Sequence, residues 1–214
     1  MILSTAYLPP IQYVALLCKN GETKIEQWEH YVKQSYRNRS RILSSNGTLD
    51  LIVPVEKPQG SKTLLKDVRL AYHDRWNAEH WNAIRSAYNS SPYFEYYVDD
   101  IEHFFLQQFD FLIDYNTELL DCILNLLKIP HTITYSESFV PLHTENQDYR
   151  YTITPKLTNP DIHFSEYPQV FDYKFGLNHH LNNSEYIYFY KGNQSKVDCF
   201  LNYNFLENKQ LNYL

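Results

Sequence analysis

Glycine is scarce in this chain. Five occur in 214 residues, at Gly21, Gly47, Gly60, Gly176 and Gly192, where average usage of roughly 7% would supply about fifteen. No two stand within ten positions of each other. A G-x-G-x-x-G dinucleotide turn and a G-x-x-x-x-G-K-S/T phosphate loop both need closely spaced glycines, so that backbone amides approach the phosphates unhindered. Both are excluded, and any phosphate bound by this chain must be held by side chains. Left-handed turn positions fall largely to asparagine, which tolerates them.

Cysteine is sparse as well. Cys18, Cys122 and Cys199 are odd in number, far apart and without a C-x-x-C pair. A zinc ribbon, a thioredoxin-type site and a disulfide framework therefore lack support. A basic leader is missing too: the chain opens Met1-Ile2-Leu3-Ser4-Thr5, and Pro9-Pro10 interrupts any apolar run, so it does not read as a signal peptide. The most apolar stretch, Leu119 to Ile129, contains Asp121, Asn125 and Lys128 and is too short to span a bilayer. A soluble cytoplasmic protein with reduced thiols is expected. The formal net charge of −6 argues against nucleic acid as a partner. Its sign is uneven: residues 1–90 carry 12 Lys/Arg and 8 Asp/Glu, the remainder 7 and 17. An anionic ligand would meet the first half.

What the chain does have is apolar bulk (43%), enough for a packed core, and a clear succession of elements. Met1 to Ala6 reads as a buried strand, Tyr7-Leu8-Pro9-Pro10 as a turn, and Ile11 to Leu17 as a helix stopped by Lys19-Asn20-Gly21. Thr23 to Trp28 reads as a strand and Tyr31 to Leu43 as extended. Ser45-Asn46-Gly47 is a hairpin turn returning through Leu49 to Val55, and Leu65 to Tyr72 reads as a further strand. Apolar residues at 76, 83, 84, 87 and 88 predict an amphipathic helix over 76–88. Two more helices are predicted at Tyr97 to Gln108 and Phe111 to Leu127, then strands at Thr132 to Tyr135 and Tyr186 to Tyr190. The pattern predicts one domain over 1–214: β-rich in 1–72, helical in 76–128, and irregular in 129–214, packing back on the rest. The expected class is α/β, with a mixed or mainly parallel sheet, a β-hairpin and packed helices; α+β is the alternative.

Four cations, Lys33, Arg37, Arg39 and Arg41, stand at alternate positions with Ser35. In a strand they would line one face, a row suited to phosphate because guanidinium forks pair with it bidentately. The competing reading is a solvated face that protects an edge strand. His80 lies four residues from both Trp76 and Ile84, toward the apolar face of its helix. It is either a general base with a tuned pKa or a buried histidine satisfied by a backbone group. Asp99 and His103 share a helix face, but acids in a first turn are explained by the helix dipole, and no metal site is expected. No G-x-S-x-G elbow occurs, and Cys18 and Cys122 read as core packing. Glu166 to Phe171 sets aromatic rings around Gln169, a combination that stacks on and hydrogen-bonds a sugar or base, or pins a loop to the core.

Several stretches resemble the WbqC-like protein family. They are Tyr7-Leu8-Pro9-Pro10-Ile11-Gln12-Tyr13, Lys33-Gln34-Ser35-Tyr36-Arg37-Asn38-Arg39, Gly47, Val53-Pro54-Val55, Trp76 to His80, Ser91 to Tyr97, and Tyr167-Pro168-Gln169-Val170-Phe171. They run in order across nearly the whole chain. One segment departs from the family pattern: after Gly176, Asn182 and Glu185 stand where a Ser and an Asp are expected. The resemblance implies a connection with surface-polysaccharide (O-antigen) gene clusters and a suggested glycine-transferase role, and it brings no catalytic residue set. The opening strand, turn and helix also resemble nucleotidylyltransferase-type folds, whose turn carries two histidines where this chain has Gln12 and Ala15; the adenylylation chemistry would then be lost or rebuilt.

Two functions follow as expectations. One is a cytoplasmic transferase that moves an aminoacyl or similar group onto a nucleotide-linked sugar, with no cofactor. In it Lys33, Arg37 and Arg39 hold phosphates, His80 removes a proton, and Gln12, Asn38 and Gln169 orient the acceptor or carbonyl. The other is a non-catalytic glycan- or partner-binding protein that displays its 20 tyrosines as a recognition surface.

Overall fold

A computed structural model of the chain describes residues 1–56, 63–91, 94–142, 147–155 and 174. The chain starts with β1 (Ile2–Leu3), α1 (Ile11–Asn20) and β2 (Glu22–Ile25), followed by the hairpin β3 (Arg39–Ser44) and β4 (Gly47–Ile52). A 3-10 turn at Leu65–Asp67 leads to α2 (Trp76–Tyr88), α3 (Phe94–Leu106), α4 (Leu112–Leu126) and β5 (Thr132–Tyr135). β2 lies between β1 and β5, parallel to both, with Leu3 opposite Ile25 and Ile25 opposite Tyr135. Residues 147–149 extend the sheet beyond β1: Ile2 N–H donates to Gln147 O and Tyr149 N–H to Ile2 O. With the antiparallel hairpin and four helices this is an α/β architecture.

The β1–α1–β2 unit follows from its punctuation. Pro10, φ −67°, precedes the first turn of α1, where a missing N–H costs nothing. Gly21 closes the helix at φ +68° with its N–H on Leu17 O, a backbone region that Gly enters without penalty. Between them Tyr13 to Leu17 are buried, so α1 is wrapped by core on nearly every side. α2 buries Trp76, His80, Trp81, Ile84, Ala87 and Tyr88. α3 and α4 add Phe104, Phe105, Leu112, Tyr115, Leu119 and Leu124 to the same core.

Two predicted extended stretches are corrected. Of Tyr31 to Leu43 only Arg39 onward is strand. Before it the chain turns, because Ser35 Oγ donates to Val32 O, Asn38 N–H donates to Ser35 O, and Gln34 sits at φ +55°. Such local side-chain bonds compete with a sheet ladder. Leu65 to Tyr72 is also not a strand. Its residues are shared among different partners, with isolated bridges Val55–Leu70 and Arg69–Phe111. α3 begins three residues before the predicted Tyr97, at Phe94. The Tyr186 to Tyr190 strand lies outside the described residues.

Leu17 is fully buried, whereas Leu49 on the hairpin is 40% exposed. Leu17→Ala is expected to cost about 2–5 kcal/mol and Leu49→Ala no more than about 0.5 kcal/mol. Urea denaturation of the two variants measures the difference.

Candidate functional site at the carboxyl edge of the sheet

Because β1, β2 and β5 are parallel, their carboxyl ends lie along one edge, where open α/β sheets bind ligands. The residues that follow these strands are polar and buried: Ser4 after β1, Glu26 and Glu29 after β2, Ser136 after β5. Two arginines meet them. Arg37 donates from Nε and Nη2 to the two oxygens of Glu29, at 2.9 and 2.8 Å, and again from Nη2 to Ser4 Oγ at 2.7 Å. Arg150 is clamped by Asp148 at 2.9 and 2.5 Å and lies 3.4 Å from Glu26. Glu26 also accepts from Trp28 N–H, Ser136 Oγ and Val140 N–H, at 2.7, 2.7 and 2.8 Å. Ions this deep are tolerated only when paired and hydrogen-bonded in full. The cluster meets that demand almost everywhere.

The exception is Arg37. It is 3% exposed, yet its Nη1 donates to no group among the described residues; every bond it gives comes from Nε or Nη2. Its side chain lines a small cavity with Ser4, Thr5, Ala6, Tyr13 and Arg150. The cavity has a volume of about 10 Å³, the least that holds one water. The Tyr151 ring covers the guanidinium at 5.5 Å, and Phe139 lies over Arg150 at 5.9 Å. Both rings are about half exposed.

A second polar group lies in the aromatic core. His80 Nδ1 is 2.9 Å from the Tyr7 hydroxyl, with Trp76 edge-on at 5.2 Å and Tyr115 stacked on Tyr7 at 5.8 Å. Burial lowers the His80 pKa to about 4 and raises that of Tyr7 well above its ordinary value. Near pH 7 both are neutral. Tyr7 precedes Leu8, held at φ +41°, a strained conformation for a non-glycine residue.

The predicted site residues are dispersed. Arg37 is in the sheet-edge cluster. Gln12 is buried in the first turn of α1. Asn38 is buried and donates from Nδ2 to Val53 O at 2.9 Å, while its Oδ1 accepts no bond. Lys33 is exposed on the turn before β3. Arg39 and Arg41 do share a face, but both bind Asp50 on β4 at 2.6 Å. Burial opposes ionisation there, yet the bonds from the two arginines hold the Asp50 carboxyl below its ordinary value. The four-cation row is thereby corrected: turns between Lys33 and Asn38 break the alternation, sending Arg37 inward and Lys33 outward. Gln169 lies outside the described residues. Sequence reasoning missed Ser4, Glu26, Glu29, Ser136, Asp148 and Arg150. For Glu26 and Glu29 the signal was two acids placed just after a short strand. For Arg150 there was none, since the groups that place it at the sheet edge, Glu26 and Ser4, lie more than a hundred positions away. Among the described residues no three His, Cys, Asp or Glu side chains are placed to hold a metal ion, and no helix is long and apolar enough to cross a membrane.

The parallel sheet, with its buried polar cluster at the carboxyl edge, defines an α/β protein. The WbqC-like protein family matches residues 5–171, and the chain belongs to it. The chain is also similar to Uncharacterized protein Rv1507c of Mycobacterium tuberculosis, 28% identical over 129 residues, or 60% of this chain and 55% of that one. The match thus spans about half the length of that relative. No solved structure matches.

Two measurements probe these environments. Glu29→Gln leaves the Arg37 charge buried without its counter-ion and is expected to cost about 3–5 kcal/mol, whereas Asp50→Asn, at the exposed hairpin, costs about 1 kcal/mol or less; chemical denaturation separates them. The second is a pH profile. His80 binds its proton near pH 6.5 when unfolded and near 4 when folded. As pH falls between these values the unfolded state takes up the proton first. Stability is therefore full above about pH 6.5 and declines toward pH 4, by about 3 kcal/mol in all. His80→Asn should flatten that decline, and an unchanged slope in the variant would refute the assignment.

Proposed function

We propose that the protein is a cytoplasmic transferase of surface-polysaccharide (O-antigen-like) assembly, passing a glycyl or related acyl group to a nucleotide-linked sugar. Membership of the WbqC-like family supports a role related to polysaccharide biosynthesis. The observation that carries the site assignment is the buried Arg37, which lines a cavity at the carboxyl edge of a parallel sheet and gives no bond from Nη1 to a described residue. Lys33 and Arg39, on the turn and hairpin that flank Arg37 in sequence, supply positive charge for the nucleotide phosphates. Arg37 is already engaged bidentately by Glu29 and faces the acyl end. Gln12, Asn38 and Gln169 orient the acceptor or the carbonyl. His80 was expected as the proton acceptor, but a pKa of about 4 makes it a weak base near neutrality. Its role in this reading is to hold the Tyr7 hydroxyl through Nδ1.

The non-catalytic binder draws on exposed tyrosines. Tyr7, Tyr13, Tyr36, Tyr88, Tyr97 and Tyr115 are buried, so among the described residues the tyrosine excess serves mainly the core, and this reading has less support.

A thermal-shift panel of nucleotide sugars tests the proposal. A true substrate should stabilise the fold by about 2.7 kcal/mol at a hundredfold excess over its Kd. Lys33→Ala and Arg39→Ala, both at accessible positions, should each weaken binding by about tenfold. No shift with any nucleotide sugar, or an Arg39→Ala variant that binds like the parent, would sink it.

A further inference from the structure

The cavity beside Arg37 is too small, and its surroundings too negative, for the phosphate that two arginines at a sheet edge would ordinarily suggest. Three carboxylates, Glu26, Glu29 and Asp148, surround two guanidiniums, Arg37 and Arg150. The positive charge is spent, and a dianion placed here would meet a formal excess of negative charge in a medium of low dielectric. What the cavity does offer is hydrogen-bond donation. Arg37 Nη1 carries two N–H groups and gives neither to a described residue. Its other two nitrogens are locked in place by Glu29 and Ser4, so the direction of these donors is fixed before anything binds. The space of about 10 Å³ takes one oxygen-sized atom. A phosphoryl group, with three terminal oxygens, would have only one of them within this space.

We infer that this cavity is a single-oxygen pocket, in which Arg37 Nη1 donates to the carbonyl oxygen of a neutral amide or acyl group, and that Arg37 is the residue that fixes the acyl end of the substrate. The choice of a carbonyl rests on the acyl-transfer reading above; the size and charge of the pocket do not. A fixed donor at 2.7–3.1 Å from an oxygen that gains charge during acyl transfer is the arrangement that stabilises such a reaction. Thr5 and Ala6, the residues that carry β1 toward α1, form part of the wall, so the pocket opens where the parallel strands end.

The test follows the side-chain Nε–Hε resonance of Arg37 in the 15N-labelled full chain during titration with three probes: N-acetylglycine amide, acetate and inorganic phosphate. Saturable movement with the neutral amide, and binding of phosphate at least roughly tenfold weaker, is the expected result. Ala6→Val adds two methyl groups to the wall while sparing the Arg37–Glu29 pair, and should abolish the amide response. If it does not fold, Thr5→Val, which keeps the shape and replaces a hydroxyl, serves instead and should weaken the response. Phosphate binding tighter than the amide, or an unmoved Arg37 resonance with every probe, overturns the inference. Stabilisation by nucleotide sugars with an unmoved Arg37 also overturns it and leaves the transferase reading standing. Amide-dependent movement without any nucleotide-sugar binding supports the pocket and overturns the transferase.

Discussion

The bidentate pair between Arg37 and Glu29 is the constraint around which the sheet edge is arranged. Both ions are almost wholly withdrawn from water, which is costly for each alone and tolerable only in mutual contact. Meeting that condition fixes several backbones at once. Glu29 must stand just past β2, and the chain between Lys33 and Asn38 must turn rather than extend. Ser4 must offer its hydroxyl from the end of β1. Asn116 on α4 then secures the Arg37 carbonyl through Nδ2 at 2.7 Å. One ion pair thus ties β1, β2, the approach to the hairpin and α4 to a common point.

The same pair sets the chemistry. A guanidinium engaged on two of its nitrogens is a poor general anion receptor, because its charge is already matched. It is a good directional donor, because its remaining N–H groups cannot swing away. His80 illustrates the opposite use of burial. Set among aromatic rings with the Tyr7 hydroxyl on Nδ1, the ring is kept neutral by desolvation and contributes hydrogen bonding without charge. The two groups bond to neighbouring parts of the first connection, Arg37 to Ser4 and His80 to Tyr7, yet only the histidine owes its charge state to burial.

The framework was legible wherever local signals and periodicity agreed. Pro10 and Gly21 bracket α1, Ser45-Asn46-Gly47 closes the hairpin, and the spacing of Trp76, Ile84 and Tyr88 gave α2 at its observed bounds. Thr132 to Tyr135 was readable as a strand, but nothing local said that it pairs with β2. The site was legible only in part. Arg37, Asn38, Gln12 and His80 were singled out by type, and all four are buried polar groups. Their grouping was not, because alternation in sequence implies a shared face only if the backbone is extended. Ser35, Gln34 and Asn38 bend it instead. Arg150 and Asp148 were invisible for a different reason: their meaning comes from a return of the chain to β1, which no window of neighbouring residues contains.

That return has a consequence in the order of synthesis. Ile2 bonds to Gln147 and Tyr149, and Ser4 to the carbonyl of Arg150, so the first strand is completed by residues made almost 150 positions later. At ~5–20 residues per second, the ribosome delivers that partner on the order of ten seconds after Glu26 has emerged. During this interval Glu26 lacks the Arg150 guanidinium that faces it in the folded chain. Helices α2 to α4, whose contacts are closer in sequence, are free to pack in the meantime. The Glu26–Arg150 contact therefore forms only once the chain has been translated past Arg150.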